Sequence, residues 1–211
     1  MARLEQMIEG YRRFRETGWK RERERWSELA EGQSPKVMVL ACSDSRVEPA
    51  LIFDARPGEI FVVRNVANLA PPFETTGGYH GVSAALEFAV TQLEVEELLV
   101  LGHGGCGGCA AALTGQFDDA EHGEGHFIAA WVEMLGQARS AVRSRHSELG
   151  AQAFLDMERE AVKVSLANLR TFPWVIEREI AERLKLHGGH FSITEGRLYL
   201  LDEAEGEFRP V

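Results

Sequence analysis

Two stretches of this sequence carry side chains whose types and spacing can do chemistry. ACSDSRVEP at residues 41–49 holds Cys42, Asp44 and Arg46, and GHGGCGG at 102–108 holds His103 and Cys106. Cys42, His103 and Cys106 fill three corners of a zinc tetrahedron and leave the fourth for water or a carboxylate. Zinc sites with three protein ligands and an open position do chemistry, whereas closed four-ligand sites hold structure together. Two thiolates and an imidazole are formally neutral with zinc before a fourth ligand arrives. The His-x-x-Cys spacing puts both donors in one turn, and the glycines around them permit tight bends. Alone that spacing is common; paired with CSDSR it is specific.

Zinc lowers the pKa of a bound water toward neutrality and makes a hydroxide nucleophile. Two thiolates donate more charge than two further imidazoles, so less acidification is expected here than at a three-histidine site. Asp44 and Arg46, two and four residues past Cys42, face the fourth position. Asp44 is the natural hydrogen-bond acceptor for the hydroxide O–H, which aims a lone pair at the substrate. Arg46 holds Asp44 by a bidentate pair, ionised and off the metal. If that clamp slips, Asp44 itself binds zinc and closes the site. The residues read as a zinc hydrolytic or hydration enzyme.

The elements that position them follow from hydrophobic patterning. Residues 3–29 read as an amphipathic helix or helix pair, stopped by Gly32-Gln33-Ser34-Pro35. KVMVLA (36–41), IFVVR (60–64) and ELLVL (97–101) read as short buried strands, and residues 81–93 as an amphipathic helix between the last two. Cys42 falls just past one strand and His103 just past another. A short helix follows Cys106, then a Gly/His/acid-rich loop over 116–126, and two or three helices over 127–186 broken at Phe172-Pro173. Residues 190–194 and 197–201 read as a closing hairpin. The fold class expected is α/β: a central mostly parallel sheet of four strands plus an antiparallel edge strand, flanked by helices, with an N-terminal helical arm. Ligands of such sheets sit beyond the carboxyl ends of the strands, where Cys42 and His103 both fall. The expected organisation is one domain over 1–211, with an arm at 1–32, a zinc-site core at 36–115 and a helical and C-terminal sheet part at 116–211.

The 211 residues carry a formal net charge of −10, which argues against a nucleic-acid partner. Arginines and glutamates alternate over 12–25, as on a solvated or subunit-packing helix face. Three cysteines make poor disulfide scaffolding, so a reducing compartment, the cytoplasm, is expected. The first residues lack the apolar core of a signal peptide, and no apolar run is long enough to span a bilayer.

CSDSR, RNVAN (64–68) and GHGGCGG resemble the signature blocks of the β-class carbonic anhydrases, plant-like branch. GQSPKVMV, PGEIFVVRNVANLAPPFETT, EAVKVSLANLRTFPWV and HGGHFSI extend the likeness along nearly the whole chain. The resemblance implies one Zn²⁺ per subunit on Cys42, His103 and Cys106, an Asp44–Arg46 catalytic dyad, and reversible hydration of CO₂ to bicarbonate and a proton. It implies that Gln33, Phe61, Val66 and Tyr79 line the CO₂ pocket, largely across a dimer interface, with Gly107 beside the metal. A homodimer or higher homo-oligomer is therefore expected. Family members regulated by non-catalytic bicarbonate carry a Trp three residues before the first ligand. Val39 stands there, so an open, non-allosteric site is expected despite Arg64.

Other readings use the same residues. A CS₂ or COS hydrolase would share the zinc and dyad, and a non-catalytic zinc-binding protein would need neither Asp44 nor Arg46. Cys106-Gly107-Gly108-Cys109 also spells a C-x-x-C exchange motif, which leaves His103 and CSDSR unexplained. Cys109 reads as a small buried apolar residue. His80, His146, His187 and His190 read as surface or packing residues, while His122 and His126 are candidates to relay protons to buffer. Trp19 and Trp26 suit an arm that packs on a neighbouring subunit.

Overall fold

The computed structural model describes residues 3–76, 78–121, 123 and 125–211. The arm comprises α1 (Arg3–Glu16), α2 (Gly18–Arg21) and α3 (Arg23–Glu31). Then come β1 (Val37–Cys42), α4 (Pro49–Ile52) and β2 (Ile60–Asn65), which runs into a 3₁₀ turn at Val66–Asn68. Next are α5 (Gly81–Glu87), β3 (Glu97–His103) and α6 (Gly107–Thr114). Four helices follow: α7 (His126–Val132), α8 (Gly136–Arg145), α9 (Ala151–Leu169) and α10 (Pro173–Ile180). The chain closes on β4 (Lys185–Ser192), β5 (Arg197–Asp202) and β6 (Glu207–Pro210).

The six strands form one sheet in the order β2-β1-β3-β4-β5-β6. β1 pairs in parallel with both β2 and β3, and β3 pairs in parallel with β4. β5 and β6 are antiparallel, so the sheet ends on two antiparallel strands where the sequence suggested one. β6 is four residues, EFRP, and of these only Phe208 is buried. So short a run gives no period-2 signal, and Pro210 suits an edge where no ladder donor is needed. Cys42 and His103 are the last residues of β1 and β3 rather than the first beyond them. The register sets Ala41 opposite Leu101, which brings those two strand ends side by side.

β1 is apolar throughout because it lies mid-sheet and is covered on both faces; only Val37 in it is not fully buried. Met38, Leu40, Leu98 and Val100 pack on one face with Val162, Leu166 and Leu169 of α9. Val39, Ala41 and Leu101 make a thinner layer on the other, against Ile52, Phe53 and Leu198. Truncating fully buried Leu98 to alanine would cost about 3 kcal/mol. The helix expected over 81–93 widens into a π-turn at Phe88–Gln92, the kind of local irregularity that periodicity does not report. The region over 127–186 divides further than the two or three helices expected, into α7, α8, α9 and α10. Among the described residues no helix is long and apolar enough to cross a membrane.

The candidate metal centre

The end of β1 and the segment from β3 to α6 bring Cys42, His103 and Cys106 together as a buried cluster. Their ligand atoms all lie within 4.8 Å of one another, and the two sulfurs are 3.9 Å apart. Tetrahedral zinc with Zn–S bonds of about 2.3 Å requires sulfurs about 3.8 Å apart, so the thiols are spaced for it. The His103 ring adds a second indication. Its Nδ1–H donates to the Gly104 carbonyl at 3.0 Å, which leaves the lone pair on Nε2. Nε2 is buried and has no hydrogen-bond partner. A buried nitrogen left bare, aimed at two thiols, fits a cation.

In the metal-free chain the thiols hold their protons firmly. The contact with Cys106 and then burial push Cys42 up to about 12. Cys106 also rises to about 12, chiefly through its contact with Cys109. A cation must displace these protons, so its affinity rises with pH.

Asp44 and Arg46 stand beside the cluster. Arg46 Nε donates to Asp44 Oδ1 at 2.9 Å, Nη2 donates to Oδ2 at 2.6 Å, and the Arg46 backbone N–H donates to Oδ1 at 3.0 Å. Arg46 Nη2 also reaches the Gly105 carbonyl at 2.9 Å, tying the two sequence blocks together. The Arg46 guanidinium holds the Asp44 carboxyl well below the usual carboxylate range. Asp44 Oδ2 lies 4.0 Å from His103 Nε2, so the clamped carboxylate borders the space the ligand atoms enclose.

The loop carrying Asp44 is braced by Arg64 from β2. Its guanidinium donates to the carbonyls of Cys42, Asp44 and Val47, and it pairs with Glu48. Residues 65–70 are fixed in turn. The Asn65 side chain brackets Leu69 through both its N–H and C=O, and Ala67 and Asn68 are held at positive φ. Ser165 and Asn168 of α9 bond the backbone of Asn68 and Ala70. Gly108 lets α6 meet this turn, since a Cβ there would lie 2.6 Å from Val66 Cγ1. RNVAN is thus a scaffold for the site as well as a sequence signature.

The residues matched to a CO₂ pocket divide. Val66 and Gly107 lie at the site, Val66 against Gly108 and Gly107 next to Cys106. Gln33, Phe61 and Tyr79 are elsewhere in the single chain. Gln33 precedes the opposite end of β1 and is exposed. Phe61 pairs with Met38, four residues short of Cys42, and packs on Phe88. Tyr79 is wholly exposed.

Cys109 is buried, as a small apolar residue should be. His80 bonds the Thr76 carbonyl, His146 pairs with Asp156, and His187 pairs with Glu97. His122 lies outside the described residues, and His126 begins α7. Sequence reasoning passed over Glu158, whose carboxylate accepts the backbone N–H of Cys106 at 3.1 Å. Its signal was present: an acid on the apolar stripe Ala153, Met157, Ala161, Val162 of α9.

A family model described as carbonic anhydrase matches residues 37–198. The chain is 34% identical over 194 residues to beta carbonic anhydrase 3 of Arabidopsis thaliana, covering 92% of this chain and 74% of that protein. Among solved structures, the β-carbonic anhydrase CcaA aligns over 100% of both chains with a TM-score of 0.92 and 30% identity. A Coccomyxa β-carbonic anhydrase in complex with acetazolamide aligns with a TM-score of 0.82 and 27% identity, over 95% of this chain and 87% of that one. The matched family region runs from the first residue of β1 into β5 and encloses the whole cysteine–histidine–cysteine cluster, and the chain belongs to the β-class carbonic anhydrases, which interconvert carbon dioxide and bicarbonate.

Proposed function

We propose that this chain holds one zinc ion through Cys42, His103 and Cys106 and hydrates CO₂ reversibly to bicarbonate and a proton, with Asp44 and Arg46 as the orienting dyad. The observation that carries this reading is the clamped Asp44 carboxylate 4.0 Å from the bare Nε2 of His103. Zinc bound there supplies Lewis acidity that makes water a hydroxide nucleophile near neutral pH.

The protein's own groups do the rest. Asp44 is ionised at any working pH, because Arg46 holds its carboxyl low. Its Oδ2 would accept a hydrogen bond from the nucleophile's O–H and so turn a lone pair toward the carbon of CO₂. The bidentate Arg46 keeps that carboxylate from swinging onto the metal. Val39 is buried in the sheet, and the guanidinium of Arg64 is spent on loop carbonyls and Glu48. Both support a site that stays open without a regulatory anion.

Val66 and Gly107 form the near wall of the CO₂ pocket, and Gln33, Phe61 and Tyr79 complete it across a homodimer or larger assembly. An exposed Tyr79 and an arm helix with no buried residue support a second copy as their partner. Three free cysteines, two of them ligands only when reduced, support a reducing compartment such as the cytoplasm.

Stopped-flow CO₂ hydration by the zinc-loaded protein from about pH 6.5 to 9 tests the assignment. A fast rate that rises with pH is expected. An inactive, zinc-replete protein would overturn it.

A further inference from the structure

Helix α9 places a carboxylate where its helical period calls for an apolar side chain. Glu158 is 5% exposed, flanked on the buried stripe by Met157, Ala161 and Val162. Each of its oxygens has a donor from a different element. Oε1 accepts the backbone N–H of Cys106 at 3.1 Å, and Oε2 accepts Nε2–H of His190 at 3.0 Å. His190 is itself 2% exposed on β4 and lies edge-on to Phe208 of β6. The sheet is shaped to admit this approach. Gly102 pairs with His190 in the register, and a Cβ at Gly102 would lie 2.8 Å from Val162 Cγ2 and 3.5 Å from the Glu158 carbonyl. A side chain there would lift α9 off β3 and draw Glu158 away from Cys106.

A buried carboxylate persists only when paired, and a leucine or methionine would fill the same stripe without that demand. Glu158 is not a fourth ligand, since the cluster of ligand atoms comprises Cys42, His103 and Cys106. Its bond falls on the main chain of the residue that both presents a sulfur and caps α6.

We propose that Glu158, held by His190, is a positioning residue of the metal centre. It fixes the Cys106 backbone so that the sulfur stays 3.9 Å from that of Cys42, and it sets the charge density around the thiolate. Outer hydrogen bonds of this kind orient ligands and tune a metal site's affinity. The inference rests on the zinc assignment above.

The test compares Glu158→Leu, Glu158→Gln and His190→Phe with the unaltered chain. Zinc affinity is read by chelator competition, and the cobalt-substituted protein by its thiolate charge-transfer and d–d bands. Glu158→Leu should weaken zinc by about 10- to 100-fold and shift the cobalt bands. Glu158→Gln retains an oxygen for the Cys106 N–H. Because Nδ1 of His190 is unpartnered, that ring can reverse its tautomer to face the amide. The glutamine variant should therefore recover most of the affinity and spectrum. His190→Phe, which leaves the Cys106 bond in place, should fall between the two and guards against a leucine variant that does not fold. Unchanged cobalt bands and zinc affinity in Glu158→Leu and His190→Phe would overturn the inference. So would a lowered melting temperature of the metal-free protein with unaltered cobalt bands, which marks a core residue only. If the unaltered chain takes up no zinc, the functional assignment fails; if it binds zinc and the variants bind equally, only this inference does.

Discussion

The carboxyl ends of β1 and β3 and the N-terminal arm are opposite cases within one chain. At the strand ends Cys42, His103 and Cys106 are all buried, Asp44 is gripped by three hydrogen bonds from Arg46, and Glu158 secures the Cys106 backbone. In α1 nothing is buried, and Leu4, Met7, Tyr11 and Phe14 face outward, as does Tyr79 in the loop before α5. The contrast separates two tasks. The groups proposed to hold the metal and orient the nucleophile come together when one chain folds. Tyr79 and the outer face of α1, by contrast, lie on surfaces that a single chain leaves uncovered.

The sharpest way to break that division is at the ligands. Cys42→Ser should lower zinc affinity by on the order of a thousandfold or more, because a poor hydroxyl donor replaces a thiolate. Metal content after dialysis against a chelator reads this directly, and a serine variant that stays zinc-loaded would deny the residue its role. Next, Asp44→Asn should keep zinc yet lower kcat/KM for CO₂ hydration by about 10²- to 10³-fold. A variant that lost metal and rate together would show that Asp44 holds the site rather than the nucleophile.

The arm is tested by removing residues 1–31. The shortened chain should associate more weakly in sedimentation, and its activity should fall on dilution. Unchanged mass and rate would mean that the arm is not part of the assembly. Tyr79→Ala is the milder form, expected to lower kcat/KM about tenfold with zinc content and melting temperature unchanged, since its side chain is wholly exposed in one chain.

The smallest expected effect lies away from both regions. Burial raises the Asp156 pKa, but its bonds from His146 and Gln152 prevail and hold it below the ordinary value. Its folded pKa is the lower one, so its stabilisation is present above the unfolded value of about 3.9 and is lost as pH falls through the folded one. Asp156→Asn should therefore cost about 0.5 kcal/mol near neutrality and nothing in strong acid. Denaturant melts at the two extremes of pH check the sign.

Much of the centre was legible because its determinants are local. Short apolar runs mark β1, β2 and β3, and Cys42 and His103 follow those runs within two residues, with Cys106 three further on. The Asp44–Arg46 clamp spans only three positions, so its geometry is almost written in the spacing. β6 escaped notice because four residues with one buried apolar side chain resemble a tail. The π-turn at Phe88–Gln92 escaped because its apolar spacing still passes for a helix.

Glu158 and His190 are the harder case. They are separated by 32 residues, and Glu158 lies 52 residues from Cys106. Glu158 interrupts the apolar stripe of its helix but nothing nearby in the sequence names its partners, and His190 reads as a packing residue in a strand.

The amino-acid sequence by itself determined which donor side chains are at hand, the close spacing of Asp44 and Arg46 and the strand–helix alternation, because residue chemistry and short-range periodicity act within a few positions of the chain. Only the tertiary structure decided that β1 and β3 are neighbours, that Ala41 stands opposite Leu101, and that Glu158 reaches Cys106. Those outcomes depend on sheet order and on how closely α9 settles over Gly102, which sum packing forces from the whole chain.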